Sequence, residues 1–178
     1  FAQANQINTV APFALTSAAG QCLRVTYNSI ASTAVTFDGV AANPGLFTVD
    51  SSGRGQTAAF NYDVVKGYTL NSAANPAPKD SIVVLYGTGG GVTNPLPSSE
   101  GQVIPTTGTV PAVVGVPSLT IGGEGASVLS ITAVPGSIAG LMQLNVTVPS
   151  AVKAAKDAAV VLSIGGQSSN AFATIAVK

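Results

Sequence analysis

A stretch near the start of this chain recurs near its end, and this internal repeat constrains the fold more than any other feature. Gln6 falls on Gln143, and the match continues without a gap until Val40 falls on Val177, a constant offset of 137 residues. A repeat of this kind fixes the architecture before any single element is assigned. One structural unit therefore occurs twice, the first time only in part. The identical pairs include Asn8 with Asn145, Pro12 with Pro149, Ser32 with Ser169 and Ala34 with Ala171.

Apolar residues within both copies alternate with polar ones, which is typical of β-strands that are buried on one face. The first copy predicts strands at residues 6–11, 21–27 and 31–38, and the second at 141–148, 158–164 and 171–177. Further short strands are predicted at residues 46–49, 57–62, 67–70, 82–86, 119–121 and 127–132. The predicted core residues are Ile7, Leu23, Val25, Tyr27, Val84, Leu144, Val146, Leu162 and Ile164.

The strand count predicts an all-β fold of immunoglobulin-like β-sandwich units, one complete and one partial, joined by a β-hairpin insert. About seven strands fall in residues 81–178, the number expected of a complete immunoglobulin-like sandwich. Residues 1–40 form the partial first unit, residues 41–80 the insert and linker, and residues 81–178 the second unit. The only helical signal is residues 150–157, where one turn is the expected limit because isolated short helices are unstable.

The charge content excludes several classes of protein. Charged residues make up 8% of the chain, and seven acidic residues balance seven basic ones. Nucleic-acid binders carry a basic patch, so no nucleic-acid partner is expected. No apolar run approaches the length of a membrane span, so no membrane insertion is expected. Near-zero net charge favours self-association, because little repulsion keeps molecules apart.

Enzymatic chemistry finds no support in the residue inventory. The chain has no histidine, the commonest general base and metal ligand, and its acidic residues are scattered through predicted turns. We therefore predict a protein that is not an enzyme and that has no catalytic residue, no cofactor site and no metal site. The glycine-rich run at residues 86–91 lacks the lysine of a phosphate-binding loop, and it is interpreted as a strand end with a turn. Residues 50–55 are interpreted as a hairpin loop, with a calcium-binding loop as the alternative.

A single cysteine, Cys22, excludes an internal disulfide framework. Two interpretations remain open for it: a small buried side chain, as free cysteines often are, or a thiol at a subunit contact. The sequence begins with Phe1 and shows no signal peptide, from which we expect a processed secreted protein, extracellular or on the cell surface.

Four segments in a fixed order resemble a known family. The set resembles the uncharacterised immunoglobulin-like C-terminal domain that recurs in large secreted proteins of acidobacteria. The resemblance implies an extracytoplasmic all-β domain; it implies no known activity and no catalytic residues. The segments are Pro44-Gly45-Leu46-Phe47-Thr48, Val83-Val84-Leu85-Tyr86-Gly87-Thr88-Gly89, Leu119-Thr120-Ile121-Gly122-Gly123 and Gln143-Leu144-Asn145-Val146-Thr147-Val148-Pro149.

The partial first unit points to a function in assembly. Three strands cannot close a sandwich, so their apolar face and open edges need a cover. The candidates are residues 46–70 of the same chain or strands of a neighbouring subunit. We therefore predict a non-enzymatic extracellular structural protein, the subunit of a self-assembling homopolymer such as a filament or a surface layer. The predicted subunit contacts are Phe1, Gln6, Leu46, Phe47, Phe60, Tyr62 and Tyr68.

The alternative function is an immunoglobulin-like adhesion module of a larger secreted protein, which binds carbohydrate or a cell surface. Sugar-binding platforms use exposed aromatic rings, and this chain has no tryptophan, four tyrosines and six phenylalanines. An exposed pair among Tyr62, Tyr68 and Tyr86 would favour this alternative.

Overall fold

The computed structural model of the protein describes residues 2–3, 5–15 and 19–178. Within these residues the chain forms strands and no α-helix, which confirms the all-β prediction. The strands, in chain order, are β1 (Ala2–Gln3), β2 (Gln6–Ile7), β3 (Gln21–Leu23), β4 (Thr26–Tyr27), β5 (Ile30–Ala31), β6 (Val35–Phe37), β7 (Gly45–Leu46), β8 (Gly55–Gln56), β9 (Ala59–Asp63), β10 (Gly67–Leu70), β11 (Ile82–Thr88), β12 (Thr93–Asn94), β13 (Ala112–Val113), β14 (Pro117–Ile121), β15 (Glu124–Ala133), β16 (Met142–Thr147), β17 (Ala155–Ile164), β18 (Gln167–Ser168) and β19 (Ala173–Val177).

Helical structure is confined to one 3-10 turn in the described residues, at Phe13–Leu15. The helical turn expected at residues 150–157 is wrong, because a turn at residues 150–151 is followed by β17. Val152, which precedes β17, and Ala158, which lies within it, are both buried in the core.

Most strands of the second unit belong to one curled sheet. Its main path runs β10-β9-β11-β16-β15-β14-β17-β19-β8, and neighbouring strands are antiparallel except β19 and β8, which are parallel. Strand β15 connects the two halves, because its first residues pair with β14 and residues 127–133 pair with β16. The sheet therefore folds back on itself at β15 and encloses the main core, beside which Ile104, Ala133 and Ala139 form a small second cluster.

The inward-facing side chains of both halves form that core. Leu144, Val146, Leu162 and Ile164 belong to it, and Val84 is buried on the opposite face of β11, so the predicted burial of these five residues is confirmed. Burial of both faces of β11 explains why its sequence is a continuous apolar run. The other large members of the core are Leu46, Val83, Leu85, Leu119, Ile121, Ile131, Met142, Val148, Val152, Val160, Ile175 and Val177.

The insert is part of this sheet, which corrects one expectation. Residues 46–70 were expected to bridge the two units or to cover the first unit. Strands β7 and β9 instead pair with β11, and β8 pairs with β19. The physical reason is that Leu46 and Ala59 complete the core of the second unit.

A buried asparagine holds the β9–β10 hairpin against the last strand. The side chain of Asn71 is fully buried; it donates to the carbonyl of Ala176 at 2.9 Å and accepts from the N–H of Ala176 at 2.9 Å. Asn71 also donates to Asn61 Oδ1 at 2.8 Å and accepts from Gln56 Nε2 at 3.0 Å. Polar groups in a protein interior need partners of this kind, so the network fixes where the hairpin lies.

The sequence repeat is also a repeat of hydrogen bonds. The N–H of Ser32 donates to the carbonyl of Val25 at 2.8 Å, and the N–H of Val25 donates to Ser32 Oγ at 3.1 Å. The matching residues of the second copy make the same two bonds, since Ser169 donates to Leu162 at 2.7 Å and Leu162 donates to Ser169 Oγ at 3.0 Å. The strands at residues 21–37 are thus the structural counterpart of β17 and the segment that follows it.

The hairpin turns of the two copies match as well. Asn28 and Ser29 have φ values of 47° and 63°, and their counterparts Gly165 and Gly166 have 59° and 82°. Two successive residues with positive φ make a type I′ turn, the turn that Gly-Gly favours between two strands. In the first copy Asn28 adopts a conformation that asparagine tolerates better than most residues.

The two copies of the repeat differ in how deeply their residues are buried. Among the described residues before Ala42 none is buried. Ile7, Leu23, Val25 and Tyr27 were predicted as core residues, and this prediction is wrong: they are 53, 52, 41 and 77% exposed. The reason is that β1–β6 form only two-stranded pairs, and no described strand packs over them.

Candidate functional site

The first candidate surface is an unpaired backbone edge in the first unit, at residues 23–27, which run from the last residue of β3 through β4. In the second unit the equivalent edge of β17 is occupied by β14, with Leu119 opposite Leu162. In the first unit, β3 pairs only with β6 and β4 only with β5 within the described residues. We call residues 23–27 the open edge.

The backbone of Val25 shows which groups face outward at the open edge. Both its N–H and its carbonyl are used by Ser32, on the paired side. Successive residues of an antiparallel strand point their hydrogen-bonding groups to opposite sides. The N–H and C=O groups of Arg24 and Thr26 therefore point away from the hairpin, toward the unpaired side.

An apolar surface accompanies the open edge. Leu23, Val25 and Tyr27 alternate onto one face of the strand, and the cross-strand pairing of Leu23 with Val35 and of Gln21 with Phe37 adds two apolar side chains to that face. All five apolar residues are exposed. We call this set the open face.

The first unit has a defined polar contact with the second. The N–H of Phe13 donates to Glu100 Oε1 at 3.0 Å. Neither residue belongs to the open face or to the open edge.

The second candidate surface is an aromatic patch on the outer face of the curled sheet. The rings of Tyr62 and Tyr68 lie 5.1 Å apart between centroids, tilted by 44°. The rings of Phe60 and Tyr86 meet edge to face at 6.2 Å. Strand pairing places them together, since Tyr62 lies opposite Tyr68 and Ile82. We call these four rings and the cavity beside them the tyrosine face.

A row of polar side chains borders the tyrosine face. Tyr86 donates its hydroxyl to Gln143 Oε1 at 3.3 Å, Gln143 donates to Asn145 Oδ1 at 3.2 Å, and Asn145 donates to Ser130 Oγ at 2.9 Å. These side chains alternate with the core residues of β16 and β15, so they stand on the outer face. The row presents amides and hydroxyls beside aromatic rings.

A shallow cavity of 170 Å³ lies between the rings and this polar row. Its lining includes Leu129, which is 53% exposed and occupies the irregularity in the pairing of β15 with β16. A β-bulge inserts one extra residue and re-aims it, which directs Leu129 outward. No charged side chain lines the cavity, whose other walls are Tyr62, Tyr68, Ile82, Val84 and Asn145.

The predicted contact residues fall in three different places. Phe60, Tyr62 and Tyr68 come together on the tyrosine face. Tyr68 is 62% exposed, whereas Tyr62 and Tyr86 are half-buried, so these three tyrosines do not provide the exposed pair that would favour carbohydrate binding. Phe47 is exposed on the strand beside β11, and Gln6 is exposed in the first unit. The predicted subunit contact at Leu46 is corrected, because its side chain is buried in the core and cannot reach a neighbouring subunit. Phe1 lies outside the described residues.

The hairpin loop at residues 50–55 is closed by Asp50. Its carboxylate accepts from the hydroxyl of Ser52 at 2.8 Å, from the N–H of Ser52 at 3.1 Å and from the hydroxyl of Thr48 at 3.0 Å. Hydrogen bonds from Ser52, and then from Thr48, hold the pKa of Asp50 below its usual value of 3.8. The carboxylate thus has a structural role in the hairpin that the sequence predicts.

An aspartate carboxylate also closes the tip of the β9–β10 hairpin through hydrogen bonds. Asp63 accepts from the N–H of Lys66 at 2.9 Å and of Val65 at 2.8 Å. These backbone bonds, that of Lys66 first, lower the pKa of Asp63 from 3.8. The exposed Val64 and Val65 are thereby held at the tip.

Cys22 is exposed, so its interpretation as a small buried side chain is wrong for this fold. In the second unit the carbonyl of its counterpart, Ala159, accepts a hydrogen bond at 2.8 Å from the N–H of Gly122, the residue that follows β14. The first unit has no described strand at that place, and the thiol of Cys22 is left uncovered.

Sequence reasoning missed the polar row and Leu129. The alternating polar residues of β16 were a usable signal for the row, because a strand with one buried face presents its other residues outward. The position of Leu129 depends on a pairing irregularity that has no local sequence signature.

Two negative findings apply to the described part of the chain. No helix there is long and apolar enough to cross a membrane. Within the same residues, no three of the His, Cys, Asp and Glu side chains come together in a group that could hold a metal ion.

Comparison of the chain with protein-family models, curated proteins and solved structures finds no match. The resemblance to the acidobacterial domain family stays a prediction.

Proposed function

We propose that this protein is a non-enzymatic extracellular structural protein, a subunit that self-assembles into a homopolymer through β-strand contacts. The observation that carries the proposal is the contrast between Val25 and Leu162. The two residues make equivalent hydrogen bonds in the two copies, yet Leu162 is fully buried and Val25 is 41% exposed. The first unit thus has the architecture of a buried element whose cover is not among the described residues.

Surface chemistry agrees with assembly. The open face and the tyrosine face are both apolar and uncharged, and the whole chain has a formal net charge of zero. Patches of exposed apolar residues on soluble proteins mark interaction sites. A stable assembly of this kind should bury well over about 2,000 Å² in total per contact.

The finer fold assignment is part of the proposal. We propose that the second unit is an immunoglobulin-like sandwich and the first unit the last part of another. The order β11-β16-β15 on one side of the core and β14-β17-β19-β8 on the other, with β8 parallel to β19, supports this assignment. Extracellular or cell-surface location rests on the resemblance to secreted acidobacterial proteins.

Light scattering behind size exclusion tests the proposal directly. At micromolar concentrations the protein should run as species heavier than the 17.5 kDa chain, and their mass should rise with concentration. Tyr27→Lys places a charge on the open face and should shift the mass toward one chain. Val116→Lys, at a position that is at least as exposed but lies outside the first unit, should leave assembly unchanged.

A mass of 17.5 kDa at every concentration, for the wild-type protein as for Tyr27→Lys, would overturn the homopolymer. Equal loss of assembly in both variants would also count against it, because the open face would then have no special role.

A second candidate function has its own supporting observation: the adjacent rings of Tyr62 and Tyr68 beside the amides of Gln143 and Asn145. Aromatic faces match the apolar faces of pyranose rings, and amides supply hydrogen bonds to their hydroxyls. Because no charged group lines the cavity, the ligand class would be a neutral polysaccharide.

Co-sedimentation with insoluble neutral polysaccharides separates the two functions. Carbohydrate binding predicts that Tyr68→Ala loses retention, while the matched change Tyr27→Ala, an exposed tyrosine of the first unit, keeps it. If wild-type protein stays in solution with every polysaccharide, the carbohydrate function is wrong.

A further inference from the structure

We propose that the side chain of Asn75 is a built-in cap on the exposed edge of β10, which prevents a strand of another molecule from adding to the curled sheet there. The cap is an autoinhibitory contact, because a part of the chain itself occupies the place that a partner strand would take. This inference goes beyond the proposed assembly function, since it concerns the second unit and depends on neither the open edge nor the open face.

Strand β10 is one end of the main path of the curled sheet, and among the described strands it pairs with β9 alone. The opposite end of the path is covered by the chain itself. The N–H of Val49 donates to the carbonyl of Gln56 at 2.9 Å, and the N–H of Phe47 donates to the carbonyl of Tyr86 at 3.0 Å. Residues 47–49 thus join β8 to β11, and β10 is the end that needs another form of protection.

The hydrogen bonds of the β9–β10 hairpin show which backbone groups face outward from β10. The N–H of Asn71 donates to the carbonyl of Ala59 at 2.9 Å, on the side of β9. Successive residues of an antiparallel strand point their hydrogen-bonding groups to opposite sides. The N–H and C=O groups of Tyr68, Leu70 and Ser72 therefore point away from β9, toward the side where a further strand would pair.

The side chains along this edge are apolar and exposed. Tyr68 and Leu70 stand on the same face of the strand and are 62 and 51% exposed. Val64 and Val65, at the tip of the same hairpin, are 86 and 88% exposed. An exposed apolar edge strand is a template on which other chains pair, and proteins protect such edges. The edge of β10 therefore carries a hazard that a cap would remove.

The side chain of Asn75 occupies this edge. Its Nδ2 atom donates to the carbonyl of Leu70 at 2.8 Å and to Thr69 Oγ1 at 3.1 Å. The carbonyl of Leu70 is one of the outward groups. A side-chain amide offers the same kind of N–H donor as the backbone does, so Asn75 stands where the N–H of an added strand would donate.

The backbone of Asn75 closes the next outward residue, Ser72. The N–H of Ser72 donates to the carbonyl of Asn75 at 3.3 Å, and the N–H of Asn75 donates to the carbonyl of Ser72 at 2.9 Å. Both outward groups of Ser72 and the carbonyl of Leu70 are thus bonded to Asn75. One residue therefore covers the part of the edge that follows Leu70.

Contacts with the buried network hold Asn75 over the edge. Asn61 Nδ2 donates to the carbonyl of Asn75 at 2.8 Å, and Asn61 Oδ1 accepts from the buried Asn71 at 2.8 Å. Two residues after Asn75, the fully buried Ala77 donates its N–H to the carbonyl of Ala176 at 2.9 Å. The core thus fixes the backbone around Asn75, which keeps its side chain at the edge.

Removal of the cap would complete an edge that can pair with itself. Two β10 strands in antiparallel register, with Thr69 opposite Thr69, place Tyr68 opposite Leu70 of the other copy. Each such pair can exchange two hydrogen bonds. With Asn75 in place the carbonyl of Leu70 is already occupied in both copies, so half of these bonds cannot form.

Asn75→Ala removes the cap and leaves the backbone contacts of residue 75 in place. We expect this variant to associate at a concentration at least about tenfold lower than the wild-type protein does, because each pair of molecules gains two hydrogen bonds. Light scattering behind size exclusion measures the mass over a range of concentrations. Asn94→Ala, at an exposed asparagine of β12, is the control and should behave as wild type. A mass of Asn75→Ala equal to that of wild type at every concentration would overturn the cap.

Leu70→Pro, added to Asn75→Ala, tests whether the association runs through β10. The N–H of Leu70 points outward, so proline there removes a group that strand addition needs and breaks no hydrogen bond of the hairpin. We expect the double variant to return to the mass of the wild-type protein. If it associates as strongly as Asn75→Ala, another surface is responsible and the cap is wrong.

Amide hydrogen exchange separates a lost cap from a damaged fold. Strand addition should slow exchange at the N–H groups of Tyr68 and Leu70 in Asn75→Ala at least about tenfold as the protein concentration rises. A variant that is only destabilised would exchange faster at these groups and throughout the second unit, at every concentration. That result would contradict the proposal.

Failure of the cap differs from failure of the homopolymer. Tyr27→Lys is added to both the wild-type protein and Asn75→Ala, which suppresses contacts at the open face, and the difference between the two proteins should remain. A monomeric wild-type protein whose Asn75→Ala variant associates, with reversal by Leu70→Pro, supports the cap and rejects the homopolymer. A wild-type assembly that Asn75→Ala leaves unchanged supports the homopolymer and rejects the cap.

Discussion

Asn71 and Ala176 are joined by two hydrogen bonds, one in each direction, although 105 residues separate them in the chain. The pair connects the end of the β9–β10 hairpin to β19. The hairpin carries Tyr62 and Tyr68, so the position of the tyrosine face depends on this buried amide. The stability of the second unit and the geometry of its candidate surface are therefore linked.

Asn71→Ala should destabilise the protein by at least about 2 kcal/mol, because it leaves the buried N–H and carbonyl of Ala176 without their partner. Chemical denaturation with a two-state fit measures the change. Asn94→Ala, at an exposed asparagine of β12, is the control and should cost less than about 0.5 kcal/mol. Equal losses in the two variants would show that the Asn71 network does not stabilise the fold.

The two copies of the repeat should respond very differently to the same kind of change. Leu162→Ala removes a fully buried side chain and should cost about 2–5 kcal/mol. Val25→Ala, at the matching position of the first unit, should change the stability of the monomer by less than about 0.5 kcal/mol. Unfolding is measured at the lowest concentration that gives a signal, so that association does not contribute. A loss above about 2 kcal/mol for Val25→Ala would mean that the open face is covered within the monomer.

Sequence periodicity predicted where most strands lie, but it predicted only in part which of their apolar residues are buried. The alternation of Leu144 and Val146 gave both a strand and a buried face, since a second half-sheet lies across from them. The same alternation at Leu23 and Val25 predicted one strand, but the structure has two short ones, β3 and β4, whose apolar face stays exposed. Burial depends on whether another layer is present, and no local pattern contains that information.

The candidate surfaces, too, could be predicted from the sequence only in part. The sequence identified the tyrosines, yet their meeting on one face depends on the pairing of β9 with both β10 and β11. The repeat identified the incomplete first unit, but the outward direction of Arg24 and Thr26 follows only from the hydrogen bonds of Val25. The burial of Leu46 could not be predicted from the sequence either, because its strand joins a core that is formed by distant residues.

The glycine-rich run after β11 should be intolerant of side chains for a steric reason. Gly89 has a φ of 75°, its carbonyl accepts the N–H of Asn43 at 2.9 Å, and a Cβ there would overlap the carbonyl oxygen of Asn43. Gly89→Ala should therefore cost more than Gly123→Ala, where φ is 86° and a Cβ meets open space. Both substitutions cost about 1 kcal/mol because the new side chain sits in a left-handed conformation. The difference between the two losses of stability therefore measures the steric overlap at Gly89. Equal melting temperatures for the two variants would refute the steric explanation.

Acid should weaken two loops of the protein in a defined direction. The pKa values of Asp50 and Asp63 are both lowered from 3.8, by hydrogen bonds from Ser52 and from the backbone of Lys66 respectively. A carboxyl group whose pKa is lower in the folded state binds protons more weakly there than in the unfolded chain. Its contribution to stability is therefore complete above pH 3.8 and is lost as the pH falls through the lowered folded-state value.

We expect the denaturation midpoint of the wild-type protein to fall as the pH drops below 3.8, and that of the double variant Asp50→Asn, Asp63→Asn to fall less steeply. Other carboxyl groups titrate in both proteins, so the difference between the two slopes isolates Asp50 and Asp63. Amide hydrogen exchange at Ser52 and Lys66 locates the effect, because their N–H groups donate to the two carboxylates and should lose protection first in acid. Identical pH slopes for the two proteins would show that these hydrogen bonds do not favour the ionised carboxylates.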